Sequence, residues 1–392
     1  MNLQEIQERE QEAIMPTYGR FPVAVASGKG ATATDVQGRE YIDFTSGIGV
    51  NALGFCDAAW ADAVAKQAHT LQHTSNLYYT LPQIHLAQLL REKTGFDKVF
   101  FANSGAEANE CAIKLARKYG TDTYGEHRTK IITLVNSFHG RTVTTLAATG
   151  QDGFHHYFHP FTGGFVYAQA NNLDSVRACM DDNTCAVLLE FIQGEGGVLP
   201  LERGFVQELA ALCREKDILL LADEVQTGMG RTGRLFCYEH FGVQPDVITS
   251  AKGLGGGLPI GACLCSEALG GVLGKGMHGS TFGGNPVCCA GAVSVLERVS
   301  QPEFLEEVRQ KGDYLRGRLE QIDGIAGVRG MGLMLGASPS RSTAGEIVAR
   351  CVEQGLLLLT AKDALRFLPP LNISREELGR GLDILTQVLK NC

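Results

Sequence analysis

Between residues 99 and 250 the chain alternates short, mainly apolar runs with longer stretches in which apolar positions recur every three or four residues. The runs are Val99–Phe101, Ile131–Val135, Ala186–Leu189, Ile218–Ala222 and Val247–Thr249. Their starts lie 32, 55, 32 and 29 residues apart, enough each time for a strand, a helix and two connections. Ala108, Cys111, Ala112, Leu115 and Tyr119 mark one face of a helix after the first run, and Phe205, Leu209, Leu212 and Cys213 mark another before the fourth. Continuous apolar strands alternating with amphipathic helices predict an α/β chain whose mainly parallel sheet is covered on both faces.

Each run leads into a polar, glycine-bearing segment: "NSGAEANE", "NSFHGR", "EFIQGEGG", "DEVQTG" and "SAKGLGGG". Such segments collect at the carboxyl ends of consecutive strands, where open α/β sheets bind ligands, so the pattern predicts one site. Residues 291–392 read differently, mixing helical stretches with short strands such as "GVRGMGLMLG". Near the start, "ATDVQGREYIDF" reads as a hairpin around Gly38. The expected division is a large cofactor-binding domain over 51–290, a smaller α+β domain over 291–392, and an N-terminal segment, 1–50, packing with the latter.

Composition removes several classes of function. A net charge of −8 argues against a general nucleic-acid or anionic-membrane surface, both of which call for a basic face. No apolar stretch approaches the length of a membrane span. The 12 cysteines are scattered without a CxxC pair, which points to reduced thiols and a cytoplasmic setting. The opening "MNLQEIQEREQEAI" is acidic and amphipathic, unlike a secretory or transit peptide.

Three features carry candidate chemistry. Lys252 follows a buried strand and precedes a glycine run; enclosure by apolar neighbours lowers a lysine's pKa and frees a nucleophilic amine, whereas a snorkelling or phosphate-binding lysine is the plainer alternative. Asp223 ends the strand of "LLLADEVQTG", where a carboxylate needs a partner of opposite sign: a neighbouring arginine, a helix cap, or the protonated ring nitrogen of pyridoxal phosphate. Ser104 of "SGAEANE" opens a helix whose free N–H groups would hold a phosphate, although Ser104 and Glu107 also spell a capping box that needs no ligand. "KGLGGGLPIG" and "SGKG" fit neither a dinucleotide fingerprint nor a P-loop. The histidines of "HHYFH", His155, His156 and His159, read as a loop segment rather than a metal site.

Taken in order, "NSGAEANECAIKLAR", "FHGRTVTTLAATG", "IQGEGGV", "ADEVQTGMGRTG", "PDVITSAKGLGGGLPIGA", "HGSTFGGNP" and "LRFLPPL" closely resemble the class III pyridoxal-phosphate aminotransferases across nearly the whole chain. The resemblance implies the fold type I (aspartate aminotransferase-like) architecture of PLP-dependent transferases and a homodimer with shared active sites. It implies a ping-pong transfer of an ω-amino group to 2-oxoglutarate, giving glutamate. The nearest pattern is that of the members whose donor is N-acetylornithine, in arginine biosynthesis; ornithine, succinylornithine, succinyl-diaminopimelate and 4-aminobutyrate are the alternatives. By the same resemblance Lys252 carries the cofactor as a Schiff base and Asp223 meets the pyridine nitrogen. Gln226 meets the phenolic oxygen, Phe138 stacks on the ring, and Ser104, Gly105 and Ala106 hold the phosphate, joined from the other subunit by Thr281. Arg141 receives the donor's α-carboxylate and Arg366 that of glutamate. Glu195 neutralises Arg366 when no carboxylate is there, and Tyr18 closes the pocket. Phe55, Asp57, Ala106 and Phe191 depart from residues common in the family, and none removes a catalytic group.

Overall fold

The computed structural model describes residues 1–391. Three short strands, β1 (Val25–Lys29), β2 (Thr32–Asp35) and β3 (Glu40–Asp43), follow an N-terminal helix, and β2 and β3 form the hairpin expected around Gly38. Gly38 takes φ 84°, a conformation only glycine adopts without strain, which is why the turn falls there.

The central sheet then assembles from β4 (Lys98–Ala102), β5 (Lys130–Leu134), β6 (Phe165–Ala168) and β7 (Thr184–Leu189). After a small hairpin of β8 (Ile192–Gln193) and β9 (Leu199–Pro200), the sheet is completed by β10 (Leu219–Asp223), β11 (Val247–Ser250) and β12 (Gly261–Cys265). Their spatial order is β4-β12-β11-β10-β7-β5-β6, and all pairs are parallel except those made by β12. The five apolar runs of the sequence are thus strands of one mainly parallel sheet. Strands β6 and β12 were not anticipated: the first lies inside the 55-residue interval, and the second, "GACLC", is built of small residues without an apolar run.

The helix Gly105–Tyr124 covers one face through Ala108, Cys111, Ala112 and Leu115, the face that its periodicity predicts. On the other face Val187, Leu189, Leu220, Ala222 and Ile248 join the larger core with Phe205 and Leu209 of the helix Arg203–Glu215.

The C-terminal region adds β13 (Ile325–Met331), β14 (Met334–Pro339), β15 (Leu356–Leu357), β16 (Leu359–Ala361) and β17 (Ala364–Phe367). Four of these form the sheet β13-β14-β17-β16, while β15 pairs in parallel with β3, Leu356 against Ile42. Among the described residues no helix is long and apolar enough to cross a membrane.

Candidate active site

The carboxyl ends of β4, β5, β10 and β11 converge on a cavity of about 360 Å³. Its wall includes Ser104, Gly105, Ala106, Phe138, Glu195, Asp223, Gln226 and Lys252, eight of the residues singled out in the sequence. The strand ends explain the meeting: each residue lies at, or within a few positions of, the last residue of a strand or the first turn of the following helix.

Asp223 ends β10 opposite Thr249 of β11 and is nearly buried. Among the described residues no arginine pairs with it. Asn109 Nδ2 donates to its Oδ2 at 2.8 Å, His139 Nδ1 lies 2.8 Å from the same oxygen, and the Val225 N–H donates to Oδ1 at 3.0 Å. Asn109 is itself braced, donating to the His139 carbonyl at 2.8 Å and accepting from Thr249 Oγ1 at 2.7 Å. These contacts, from an amide, a backbone N–H and one imidazole, fix the carboxylate at the cavity wall. Asn109, His139 and Thr249 went unnoticed in the sequence. The signal for His139 was present in "NSFHGR", directly after a strand, and Asn109 belongs to "NSGAEANE", one helical turn after Gly105, but its role shows only in three dimensions.

Lys252 stands two residues after β11 with φ 43°, opening a short 3-10 turn. Burial holds its amine below the ordinary lysine value; Glu195 opposes that by stabilising the charged form, Arg366 adds to the lowering, and Asp223 and Glu190 counter it. The outcome is an amine that gives up its proton more readily than a surface lysine.

At the helix start Ser104 is the N-cap, its Oγ accepting the Glu107 N–H at 3.2 Å. The Glu107 carboxylate returns not to Ser104 but to Asn103, accepting its N–H at 2.6 Å and its Nδ2 at 2.8 Å. The box therefore closes one residue early, and the N–H groups of Gly105 and Ala106, which have no partner within the helix, open toward the cavity. Gly105 also packs where a Cβ would stand 2.7 Å from Val225, so a larger residue would push the helix start away from β10.

Across the cavity, Arg366 of β17 is almost fully buried and places Nη1 2.5 Å from Glu195 Oε1. Gln226 bridges the pair, its Nε2 3.4 Å from Glu195 and its Oε1 3.4 Å from Arg366. Burial pushes the Glu195 pKa up, but Arg366, Lys252 and Gln226 together pull it down and leave the carboxyl below its usual value. Glu190, accepting from the N–H groups of Phe138 and Gly194, has no such partner, and burial raises its pKa to about 7.

Besides Arg366, which reaches the cavity wall only through Glu195 and Gln226, three expected residues lie off it. Arg141 is at the rim, its guanidinium over the Phe138 ring at 5.5 Å and the Phe154 ring at 4.4 Å. Tyr18 is exposed and carries Arg20 over its ring, and Thr281 is exposed on the segment after His278. The "HHYFH" histidines form a loop packed on aromatic rings, His155 against Phe161 and Tyr167. Among the described residues no three His, Cys, Asp or Glu side chains gather closely enough to hold a metal ion.

A helix N-terminus for a phosphate, a fixed carboxylate for a pyridinium nitrogen and an amine of lowered pKa for an aldehyde, all around one cavity, fit pyridoxal phosphate and the chemistry of amino-group transfer. Comparison with known proteins agrees. Residues 13–389 match the family Aminotransferase class-III, and the chain belongs to that family, whose cofactor is pyridoxal 5′-phosphate. It is 50% identical over 391 residues to an acetylornithine aminotransferase of Haemophilus ducreyi, covering 99% of each chain. It is 44% identical over 391 residues to a succinylornithine transaminase of Salmonella enteritidis, covering 98% of this chain and 96% of that one. A crystal structure of the ornithine aminotransferase from Toxoplasma gondii superposes with a TM-score of 0.95 at 31% identity, covering 100% of this chain and 96% of the other.

Proposed function

We propose that the protein transfers the δ-amino group of N-acetylornithine to 2-oxoglutarate, alternating the two half-reactions at one site. The observation that carries this reading is the buried Arg366–Glu195 contact beside Lys252. A buried guanidinium left alone is costly. With Glu195 on it, the site admits a donor whose reacting end bears no carboxylate. With Glu195 withdrawn, Arg366 offers its fork to the α-carboxylate of glutamate. Arg141, steadied by two aromatic rings, supplies the second fork, for the donor's α-carboxylate or for the side-chain carboxylate of glutamate.

When bound, pyridoxal phosphate carries the amino group between the partners and takes up the electron pair left as a C–H proton departs. Lys252 would hold it and then move that proton, a task suited to an amine whose pKa burial has lowered. Asp223 would keep the ring nitrogen protonated, Gln226 would reach the phenolic oxygen, Phe138 would cover one ring face, and Ser104, Gly105 and Ala106 would hold the phosphate.

The reading includes a homodimer. Leu77, Tyr78, Tyr79, Leu81 and Phe282 are exposed, an apolar surface larger than a monomer needs to leave in water, and Tyr18 and Thr281 would complete the site from such an interface. It also takes residues 51–290 as the cofactor-binding domain, with 1–50 joined to 291–392, which the β3–β15 pairing supports. The reading also places the enzyme in the cytoplasm and in arginine biosynthesis, and the 50% identity to an acetylornithine aminotransferase supports the latter.

Single-turnover absorption of the purified holoenzyme with each amine tests the donor. N-acetylornithine is expected to discharge the bound chromophore with a higher rate constant over KM than free ornithine or 4-aminobutyrate. A higher value for free ornithine or 4-aminobutyrate would reject it as the principal donor.

A further inference from the structure

Next to the cofactor cavity lies a second one of about 630 Å³, whose wall includes Asn136, Gln151, Asp152, Phe154, Tyr167 and Lys362. Two rings separate them. Phe138 lines the first cavity and Phe154 the second, in an edge-to-face pair with centroids 5.9 Å apart. The Arg141 guanidinium lies over both rings and so marks the junction.

One hairpin serves both cavities. Strand β17 sets Arg366 against Glu195 and Gln226 of the first cavity's wall, and the turn between β16 and β17 delivers Lys362 to the second. Lys362 takes φ 50°, a left-handed conformation that costs a non-glycine residue energy and orients the turn. Its Nζ donates to Asn136 Oδ1, and among the described residues no carboxylate forms an ion pair with it. Asn136 is also left-handed, φ 72°, and sits directly after β5, so both partners are held by the backbone. Asp152 brings the wall one negative charge and likewise pairs with no cation among the described residues.

We propose that this second cavity is the subsite for the donor's acyl group, and that Lys362 selects acyl groups ending in a carboxylate, as in a dicarboxylic-acid monoamide of ornithine. The proposal rests on Arg141 as the anchor for the donor's α-carboxylate. With that group on Arg141 and the reacting amine at Lys252, the acylated α-nitrogen lies at the junction, and the acyl chain extends past Phe154. An acetyl group ends there; a succinyl group carries a second carboxylate onward, toward a cation without an ionic partner. Acylation also removes the α-ammonium, the one donor group that Asp152 would attract.

Steady-state kinetics with N-succinylornithine and N-acetylornithine test this on the wild-type holoenzyme, Lys362→Asn and Lys362→Arg. Asparagine tolerates the left-handed backbone and removes the charge. Lys362→Asn is expected to raise the succinyl-to-acetyl KM ratio about three- to fivefold, the range of one partly exposed ion pair. Lys362→Arg is expected to restore it, and added salt to raise the same ratio in the wild type. A Lys362→Asn enzyme that turns over both donors with the wild-type KM ratio overturns the subsite and leaves the donor reading standing. A wild-type enzyme that turns over neither acylated donor overturns both.

Discussion

Asp223 shows how much of a residue's chemistry resides in its neighbours. A carboxylate at the end of a leucine-rich strand could equally have capped a helix or met an arginine. What the structure adds is that its partners are Asn109, His139 and the Val225 N–H, which hold both oxygens in place at the wall of the cavity. Arg366 is the converse, a buried charge that meets the Glu195 carboxylate. Arg366→Ala is expected to slow the glutamate half-reaction by on the order of a hundredfold, the loss of a buried charge-assisted pair worth about 2–3 kcal/mol. The acylornithine half-reaction should change by no more than a few-fold, because there Glu195 occupies the guanidinium. Rapid-mixing measurement of each half-reaction separates the two, and equal losses would remove the switch. Lys252 and Asp223 stood out in the sequence because each belongs to a motif after an apolar run, whereas Arg366 and Glu195 were expected only through the family resemblance. The bracing set of Asn109, His139 and Thr249 was not legible, since hydrogen bonds between residues 114, 84 and 140 positions apart leave no local pattern.

At the scale of elements, strand ends and helix starts place the chemistry, and one loop joins it to the C-terminal sheet. Arg231, in the segment after β10, is buried; its Nη1 donates to the carbonyls of Leu333 and Pro369, and its Nη2 to Ser46 Oγ. Burial lowers its pKa to about 9, with Asp43 holding it up. The side chain therefore ties the loop after β10 to the β13–β14 turn, to the segment after β17 and to the segment after β3. Arg231→Ala would leave two carbonyls and the Asp43 carboxylate buried without it, and a loss of about 3–5 kcal/mol is expected. Chemical denaturation checks this; a loss under about 1 kcal/mol would mean that water replaces the arginine at no great cost. The same scale explains the two unanticipated strands. β6 fell within an interval long enough for two strand–helix units, and β12 packs "GACLC" against β4 and the helix Gly105–Tyr124, where small residues are required. Gly261 there abuts the Ser104 carbonyl, with no room for a Cβ.

For the whole molecule, buried carboxylates make stability depend on pH. Glu224, fully buried, accepts from the Tyr238 N–H at 2.8 Å and from Thr227 Oγ1, yet burial raises its pKa from 4.5 to about 7. Between those values the folded chain keeps a proton that the unfolded chain releases, so this group's contribution is present below about pH 4.5 and is lost as pH rises through 7. Glu224→Gln, which preserves the shape and stays neutral, is expected to stabilise the protein at pH 8 relative to pH 5 by on the order of 3 kcal/mol compared with wild type. Denaturant midpoints at the two pH values check it, and parallel shifts in both proteins would show that Glu224 ionises as an ordinary carboxylate. The alternation of apolar runs and amphipathic stretches determined the parallel sheet, the order of its motifs and the strand ends on which they fall, because burial period and turn chemistry are local properties. Tertiary structure alone decided which polar groups brace Asp223, that Gln226 bridges Glu195 and Arg366, and that a second cavity opens behind Phe154. Those depend on distances between segments far apart in the chain, which packing sets and no stretch of residues encodes by itself.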